Sequence, residues 1–303
     1  MTRFAVRTLT LNPSIDVSSE TEKVEPEKKV RTCCERIDPG GGGINVARVL
    51  HRFGVSVEAI FLAGGATGKA FDDLLARTGL RRCPVWIADD MRTSLTIHEH
   101  ATHSEYRFVP EGPSVTPEEL KACLEAIGKG ECEYLVASGS LPPCVPDSFY
   151  ATVGAQVRPH GTKLLLDTSG GELKEAVAAG GIYLLKASKE EIDVSAARQI
   201  VDRGHASMVA LTLGNEGALL IDSEEGAHFL PSVEVETVST VGAGDSFLAG
   251  MTYGLATGQT PLEAFRFAVA AGAAATLSEG TDLAYPRDVE RLLKQVPRPE
   301  PWI

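Results

Sequence analysis

The chain has 303 residues, 43% of them hydrophobic, which is enough apolar material for one large core or two smaller ones. Its formal net charge of -12 argues against a nucleic-acid-binding surface, because binding to a phosphate backbone needs clustered lysine and arginine. No apolar run approaches the ~20 residues that span a bilayer, and the N-terminus has no cleavable apolar stretch. We therefore expect a cytoplasmic protein without nucleic-acid or membrane partners.

The first third of the chain predicts two different sheets. The strand-like residues 5–12 and 57–64, with a helix beginning at Ile44 between them, are typical of a main α/β layer. Other strand-like segments have few helices between them: residues 29–38, 84–89, 92–100 and 105–110. These predict a small separate sheet, acting as a lid, built from insertions at roughly 13–38 and 84–110. The alternative is that they extend one edge of the main sheet.

From Tyr134 onward, short apolar runs alternate with amphipathic segments. This alternation predicts a mostly parallel sheet with helices on both faces and a ligand site at the carboxyl ends of the strands. Residues 232–239 are also strand-like, the segments after them are predicted as alanine- and glycine-rich helices that pack closely, and the proline-containing tail 297–303 is predicted to lie on the surface. A single α/β domain over residues 1–303 is the expected organisation.

The six cysteines lack the CxxC spacing of common zinc and redox motifs. They are Cys33, Cys34, Cys83, Cys123, Cys132 and Cys144. Most fall in predicted strands and helices, so we expect them to be buried as small apolar residues.

The strongest chemical signal is the segment 240–246, Thr-Val-Gly-Ala-Gly-Asp-Ser, which opens an apolar helix. Gly242, Ala243 and Gly244 allow a sharp turn and leave N–H groups bare at the positive end of the helix dipole, which forms an anion hole. Asp245 in the first helical turn is either a helix cap or a general base. A carboxylate beside a phosphate-binding loop repels phosphate, so we interpret Asp245 as the base that takes a proton from an attacking hydroxyl.

A second glycine run opens another helix at residues 39–47, Pro-Gly-Gly-Gly-Gly-Ile-Asn-Val-Ala. Four glycines in a row are entropically expensive and indicate close approach of the backbone to a ligand, or else a flexible connection. Asn45 in the first turn offers sugar hydroxyls both a donor and an acceptor. The segment is not a dinucleotide-binding fingerprint, because no strand of a short βα unit runs directly into it.

These motifs resemble the ribokinase/PfkB family of carbohydrate kinases over almost the entire chain, and the pattern is most similar to the B-type 6-phosphofructokinases. The matching segments, in order, are TLTLNPSID, PGGGGINVARVL, AGGATG, EYRFV, SGSLPP, DTSG and STVGAGDS. The resemblance implies a ribokinase-like three-layer α/β sandwich with a small β lid, and a homodimer formed through the lids. It also implies transfer of the ATP γ-phosphate to the C1 hydroxyl of fructose 6-phosphate.

The resemblance assigns roles to individual positions of the sugar site. Asp16, Gly41, Gly42 and Asn45 would hold the sugar hydroxyls. The phosphate already on the substrate would lie near Arg31, Arg92 and Ser140, with Lys29 contributed by the partner subunit. Guanidinium groups suit this role because they bind phosphate bidentately, although any single surface arginine is more often a solvated charge.

On the nucleotide side, the resemblance places the ATP phosphates near Lys186 and Ser188 and the nucleotide near Thr212, Gly214 and Gly217. Glu191 would be associated with hydrated Mg²⁺, unless it belongs to a solvated helical face. The chain reads Lys-Ala-Ser at 186–188 where the family has Lys-Pro-Asn, and it has Cys144 where the family commonly has glycine. Some members also bind a monovalent cation, so K⁺ near the loop before Asp245 and near residues 275–280 is a further expectation.

Three alternatives to a 6-phosphofructokinase remain from the sequence. Tagatose 6-phosphate and fructose 1-phosphate differ from fructose 6-phosphate only in one stereocentre or in the phosphate position. A kinase for an unphosphorylated sugar is disfavoured by the Arg31, Arg92 and Ser140 set. A catalytically silent sugar-phosphate sensor is suggested by the altered residues at 187–188 but disfavoured by the intact Asp245 and its glycines.

Overall fold

The computed structural model describes residues 3–278, 280 and 282–302. Within these ranges the strands form one large sheet and one small sheet. The large sheet contains, in spatial order, β14 (Glu300–Pro301), β13 (Gly226–Pro231), β12 (Gly217–Asp222), β11 (Ala206–Thr212), β10 (Ile182–Ser188), β9 (Lys163–Asp167), β8 (Glu131–Ser138), β1 (Arg3–Thr10), β4 (Val57–Gly64) and β5 (Arg81–Ile87). The small sheet contains, in spatial order, β3 (Cys33–Gly40), β2 (Ser14–Thr21), β6 (Arg92–Glu99) and β7 (Ser104–Phe108).

The large sheet is parallel from β11 to β5, and β12 to β14 continue it antiparallel. Its central strands are buried on both faces, which is why their sequences are nearly continuous apolar runs. In β4, for example, Ile60 packs into the core on one face and Phe61 into the core on the other. The prediction of a mostly parallel sheet is confirmed.

Helices cover both faces of the large sheet and complete the three layers. They are α1 (Gly42–Arg52), α2 (Gly65–Ala76), α3 (Pro117–Gly128), α4 (Phe149–Val157), α5 (Gly170–Ala179), α6 (Val194–Asp202), α7 (Ala243–Ala256), α8 (Pro261–Ala275) and α9 (Pro286–Leu293). One core lies under α1, α2, α7, α8 and α9, and the other under α3 to α6. No helix in the described ranges has the length and apolar character needed to cross a membrane.

The small sheet has different bounds from those predicted. Residues 84–87, expected in the lid, belong instead to β5, which pairs in parallel with β4 at the edge of the large sheet. The reason is the crossover helix α2, which returns the chain beside β4 as an ordinary βαβ unit. The second insertion into the small sheet therefore begins at Arg92, where β6 pairs in parallel with β2.

Two other expectations are wrong. Residues 232–239 are not a strand: the chain leaves the sheet after β13, and Val233 and Val235 pack against the core without a hydrogen-bonded neighbour strand. The cysteines were expected to be buried, but only Cys123 is. Cys83 and Cys132 are partly exposed, and Cys33, Cys34 and Cys144 are exposed. Among these, Cys33 and Cys34 begin β3, an edge strand of the small sheet.

Candidate active site

The two glycine-rich helix starts meet at one point beyond the carboxyl ends of β1 and β8. A methyl group added at Gly42, in the first turn of α1, would lie 3.3 Å from Asp245 Oδ1 in the first turn of α7 and would clash with Ser138 Oγ at the end of β8. The positive ends of both helix dipoles therefore face the same space, which favours a bound anion there.

Asp245 is held by a side chain from the other helix. Asn45 Nδ2 donates a hydrogen bond of 2.8 Å to Asp245 Oδ2. Burial, followed by the nearby charge of Asp167, raises the pKa of Asp245 to about 6, while the Asn45 hydrogen bond and Lys186 act in the opposite direction. A carboxylate with a pKa near neutrality is suited to general-base catalysis.

The turn before Asp245 forms the anion hole that the sequence predicts. Gly242 has a φ of 74°, in the left-handed region, and no side chain caps the helix that follows it. The first N–H groups of a helix have no intrahelical acceptor, so those of this turn can face a ligand. The N–H of Ala243 also makes a long contact of 3.3 Å with the Thr240 carbonyl oxygen. Lys186 Nζ faces the same turn, 3.2 Å from where a Cβ of Gly244 would lie.

Lys186 is held between carboxylates. Its Nζ lies 3.1 Å from Asp167 Oδ1, and only 12% of its side chain is exposed. Burial opposes protonation of Lys186, but the negative charges of Asp167, Asp245 and Glu191 outweigh it, and its pKa is raised. Asp167 and Ser138 were not predicted as site residues. The available signal was their position as the last residues of β9 and β8, where ligands of parallel sheets bind.

A second polar cluster lies where the small sheet meets the large one. Arg92 Nη2 donates to the Asn12 carbonyl oxygen at 2.8 Å, and Asn12 Nδ2 lies 3.5 Å from Ser140 Oγ. Ser14 Oγ donates to Asp16 Oδ1 at 2.5 Å, and burial raises the pKa of Asp16. Within the described part of the chain, Arg92 Nε and Asn12 Oδ1 are buried without a hydrogen-bond partner, which leaves them available to a polar ligand.

The predicted phosphate ligands do not all converge. Asp16, Arg92 and Ser140 are brought together, whereas Lys29 and Arg31 are exposed in the loop between β2 and β3. The carbonyl oxygen of Arg31 accepts a bond from Thr21 Oγ1 at the far end of β2. Thr21 lies five positions along β2 from Asp16, or roughly 16 Å. The backbone of Arg31 therefore lies at the other end of β2 from Asp16, and its role near the substrate's phosphate stays a prediction.

A cleft of about 950 Å³ leads away from the anion hole. Thr212, Gly214 and Gly217 line it on one side, and Ala243 and Gly244 lie at its inner end. Its apolar lining includes Val233, Val235, Phe247, Val269 and Ala273. A largely apolar cleft that ends at a phosphate-binding turn suits a nucleotide.

Ser188 and Glu191 are bound to each other at the end of β10. The backbone N–H and the hydroxyl of Ser188 donate to Glu191 Oε2 at 2.7 and 3.0 Å. The carboxylates of Glu191 and Asp167 flank Lys186 and supply the oxygen donors that hydrated Mg²⁺ prefers. This donor set fits the expected metal. Of the segment expected near K⁺, residue 279 lies outside the described residues.

The fold is a three-layer α/β sandwich, and it carries a nucleotide-sized cleft, an anion hole and an adjacent carboxylate. Together these features are typical of a phosphotransferase. The family model of the pfkB family carbohydrate kinases matches residues 9–288. The chain belongs to this family.

Relatives of similar length support the assignment. The ATP-dependent 6-phosphofructokinase isozyme 2 of Mycobacterium tuberculosis is 39% identical over 96% of this chain and 90% of that protein. The isozyme 2 of Escherichia coli is 38% identical over 97% of this chain and 99% of that protein. A more distant relative is the 1-phosphofructokinase of Bacillus subtilis, 30% identical over 96% of this chain and 98% of that protein.

Solved structures agree with the fold. The phosphofructokinase-2 of Escherichia coli in complex with potassium has a TM-score of 0.92 at 38% identity, covering 96% of this chain and 99% of that chain. The same enzyme in complex with fructose-6-phosphate has a TM-score of 0.89 at 35% identity, covering 97% of this chain and 99% of that chain. The predictions of the family, of the fold class and of a sugar kinase are confirmed.

Proposed function

We propose that this protein transfers the γ-phosphate of ATP to the C1 hydroxyl of fructose 6-phosphate and forms fructose 1,6-bisphosphate. The observation that carries the proposal is the position of Asp245, between the anion hole at the end of the nucleotide cleft and Asn45 at the start of α1. The names of the relatives at 38% and 39% identity support the same reaction.

Asp245 is the proposed general base. Its carboxylate takes the proton of the C1 hydroxyl as the oxygen attacks the γ-phosphorus, and the bond to the bridging oxygen breaks to release ADP. The N–H groups of Gly242, Ala243 and Gly244 stabilise the charge on the transferred group. Asn45 keeps the carboxylate in position through its hydrogen bond.

The sugar phosphate is proposed to bind between the two sheets. Asp16, Gly41, Gly42 and Asn45 hold the hydroxyls, and Gly41 can do so with its backbone because its φ of 113° brings the chain close. Arg92 and Ser140 bind the phosphate that the substrate already carries. The unpartnered Arg92 Nε supports this role.

For ATP, Thr212, Gly214 and Gly217 in the cleft are proposed to contact the nucleotide. Lys186, which faces the turn at Gly244, and Ser188 are proposed to contact the phosphates. Glu191 would hold Mg²⁺ through water, and the ion would neutralise charge on the ATP phosphates. A K⁺ ion near the loop before Asp245 stays a prediction, supported by the potassium complex of the Escherichia coli relative.

We further propose a single kinase domain whose small sheet acts as a lid and pairs with the lid of a second copy. An apolar row crosses this sheet, in which Ile37, Val17, Leu95 and Phe108 are cross-strand neighbours. Ile37, Leu95 and Phe108 are exposed, and Val17 is half-buried. A row of this kind favours burial against another apolar surface. In such a dimer, Lys29 would reach the partner's sugar site, and Arg31 is proposed to lie near the phosphate that the substrate already carries. The cytoplasmic location stays a prediction.

The test is a screen of ketose phosphates and free sugars with MgATP, following ADP release and identifying the product by NMR. We expect fructose 6-phosphate to give the highest kcat/KM and fructose 1,6-bisphosphate as product. A preference for tagatose 6-phosphate or fructose 1-phosphate would identify that sugar as the substrate in place of fructose 6-phosphate. Binding of sugar phosphate without turnover would support a sensor instead.

A further inference from the structure

The start of β3 has an irregular backbone that changes where its side chains point. Ser18 pairs with Arg36, but Glu20 pairs with Cys33, so two steps along β2 face three along β3. This is a β-bulge, and Cys34 within it has a φ of 55°, in the left-handed region. Neighbouring side chains on a regular strand point to opposite faces, whereas a bulge can re-aim one of them.

The bulge brings two thiols and a carboxylate together. The Sγ atoms of Cys33 and Cys34 are 3.7 Å apart. Both lie within 4.8 Å of a carboxylate oxygen of Glu20, and these three residues are partly or fully exposed. On the other side, His100 Nε2 lies 3.1 Å from Glu20 Oε2.

This spacing matches a tetrahedral zinc site. A Zn–S bond of about 2.3 Å places two thiolates on one tetrahedral ion about 3.8 Å apart. We propose that Cys33, Cys34 and Glu20 bind one Zn²⁺ ion, with water in the fourth position. His100 orients the carboxylate from outside the coordination shell, because a carboxylate that binds a metal is commonly held by a hydrogen bond to its other side.

The proposed site is separate from the sugar site. Glu20 lies four residues along β2 from Asp16, or roughly 13 Å. It also lies on the opposite face of β2 from Val17 in the apolar row, because the two are three positions apart. The ligands sit on both sides of the loop 22–32, so a bound ion would tie the two ends of that loop together.

The test uses the full chain, stripped of metal by a chelator and kept reduced by a phosphine. Cd²⁺ is titrated while the thiolate charge-transfer band is recorded, and Zn²⁺ is titrated against a chromophoric chelator. We expect one ion per chain. Cys33→Ser, Cys34→Ser and Glu20→Gln should each lose tight binding, and His100→Gln should weaken it about 10- to 100-fold.

Cys144→Ser is the matched control, because Cys144 is also an exposed cysteine with a positive φ but lies outside the cluster. It should bind the ion like the wild type. Circular dichroism of each variant checks folding, and Glu20→Gln keeps the test decisive should Cys34→Ser unfold. Absence of binding by the wild type, or equal binding by the Cys33→Ser/Cys34→Ser double variant, would overturn the proposal.

Trypsin cleavage tests the consequence for the loop. Lys23, Lys28 and Lys29 lie in the loop 22–32 and are exposed. Zn²⁺ should slow cleavage at these lysines in the wild type and leave the rate unchanged in Cys33→Ser. Stoichiometric binding with unchanged cleavage in the wild type would overturn the claim that the ion ties the loop.

Discussion

Asn45 Nδ2 and Asp245 Oδ2 are joined by a hydrogen bond of 2.8 Å although 200 positions separate the residues in sequence. The bond connects the first turns of α1 and α7, so it joins the proposed sugar-binding glycines to the proposed anion hole. It also acts on the pKa of the carboxylate, because a hydrogen bond to the charged form favours that form.

Asp245→Asn should abolish most turnover. The change removes the base and keeps the shape, and general-base catalysis typically contributes about 10²- to 10⁴-fold. Steady-state kinetics should show the loss in kcat with nearly unchanged KM for both substrates. Retention of more than a tenth of wild-type turnover would reduce Asp245 to a helix cap.

The pH profile should report the raised pKa of Asp245. The base works only when deprotonated, so kcat/KM should fall as the pH drops through about 6, rather than near the ordinary value of about 4. Asn45→Ala removes a hydrogen bond that lowers this pKa, and its acid limb should therefore move to higher pH. An unchanged limb in this variant would mean that another group controls the profile.

The same shift affects stability. Because the pKa of Asp245 is higher in the folded than in the unfolded state, its protonated carboxyl group contributes to the free energy of unfolding. This contribution is fully present below the unfolded-state pKa of 3.8 and is lost as the pH rises through about 6. Asp245→Asn should therefore have a higher Tm than the wild type at pH 8, and the difference should shrink toward pH 4. Calorimetry at both values checks this, and equal Tm differences at both would contradict it.

Arg92→Ala should weaken the binding of a phosphosugar far more than the binding of a free sugar. A charge-assisted hydrogen bond is worth about 1.5–3 kcal/mol, or about one to two decades in affinity. The Michaelis constant for MgATP should not change. Arg92 also donates to the carbonyl oxygens of Asn12 and Pro110, so equal weakening of both sugars would assign it to support of the small sheet.

Ser188→Asn should tighten MgATP binding modestly. Serine is shorter than the asparagine of related kinases, and here its N–H and hydroxyl are both engaged by Glu191. A longer amide would reach further toward the phosphates. The Michaelis constant for MgATP is the measurement, and an unchanged value would mean that position 188 does not contact the nucleotide.

Gly250 in α7 and Gly272 in α8 are a matched pair for measuring how close helix packing affects the free energy of unfolding. A methyl group at Gly250 would lie 2.8 Å from Ala271 Cβ and 2.9 Å from Ala268 Cα, so Gly250→Ala should cost about 1–3 kcal/mol. At Gly272 the nearest atom, Phe247 Cβ, is 3.4 Å away, and Gly272→Ala should stabilise by about 0.5–1 kcal/mol. Denaturant unfolding measures both, and equal effects would contradict close packing at Gly250.

Local patterns in the sequence were sufficient for the parallel sheet, for the helix starts at the two glycine runs and for the family. Each of these depends on residues close together in the chain: apolar periodicity, glycines before a helix, and an aspartate in its first turn. Asp245 could be named for the same reason, since its own neighbours carry the chemistry.

Contacts between distant segments were decided only by the tertiary structure. The pairing of Asn45 with Asp245, the position of Lys186 between carboxylates and the distance of Arg31 from Asp16 all depend on strand order and register. The same holds for β5, whose residues look like those of the small sheet but pair with β4. Strand pairing joins residues far apart in sequence, so no local pattern determines which edge a strand joins.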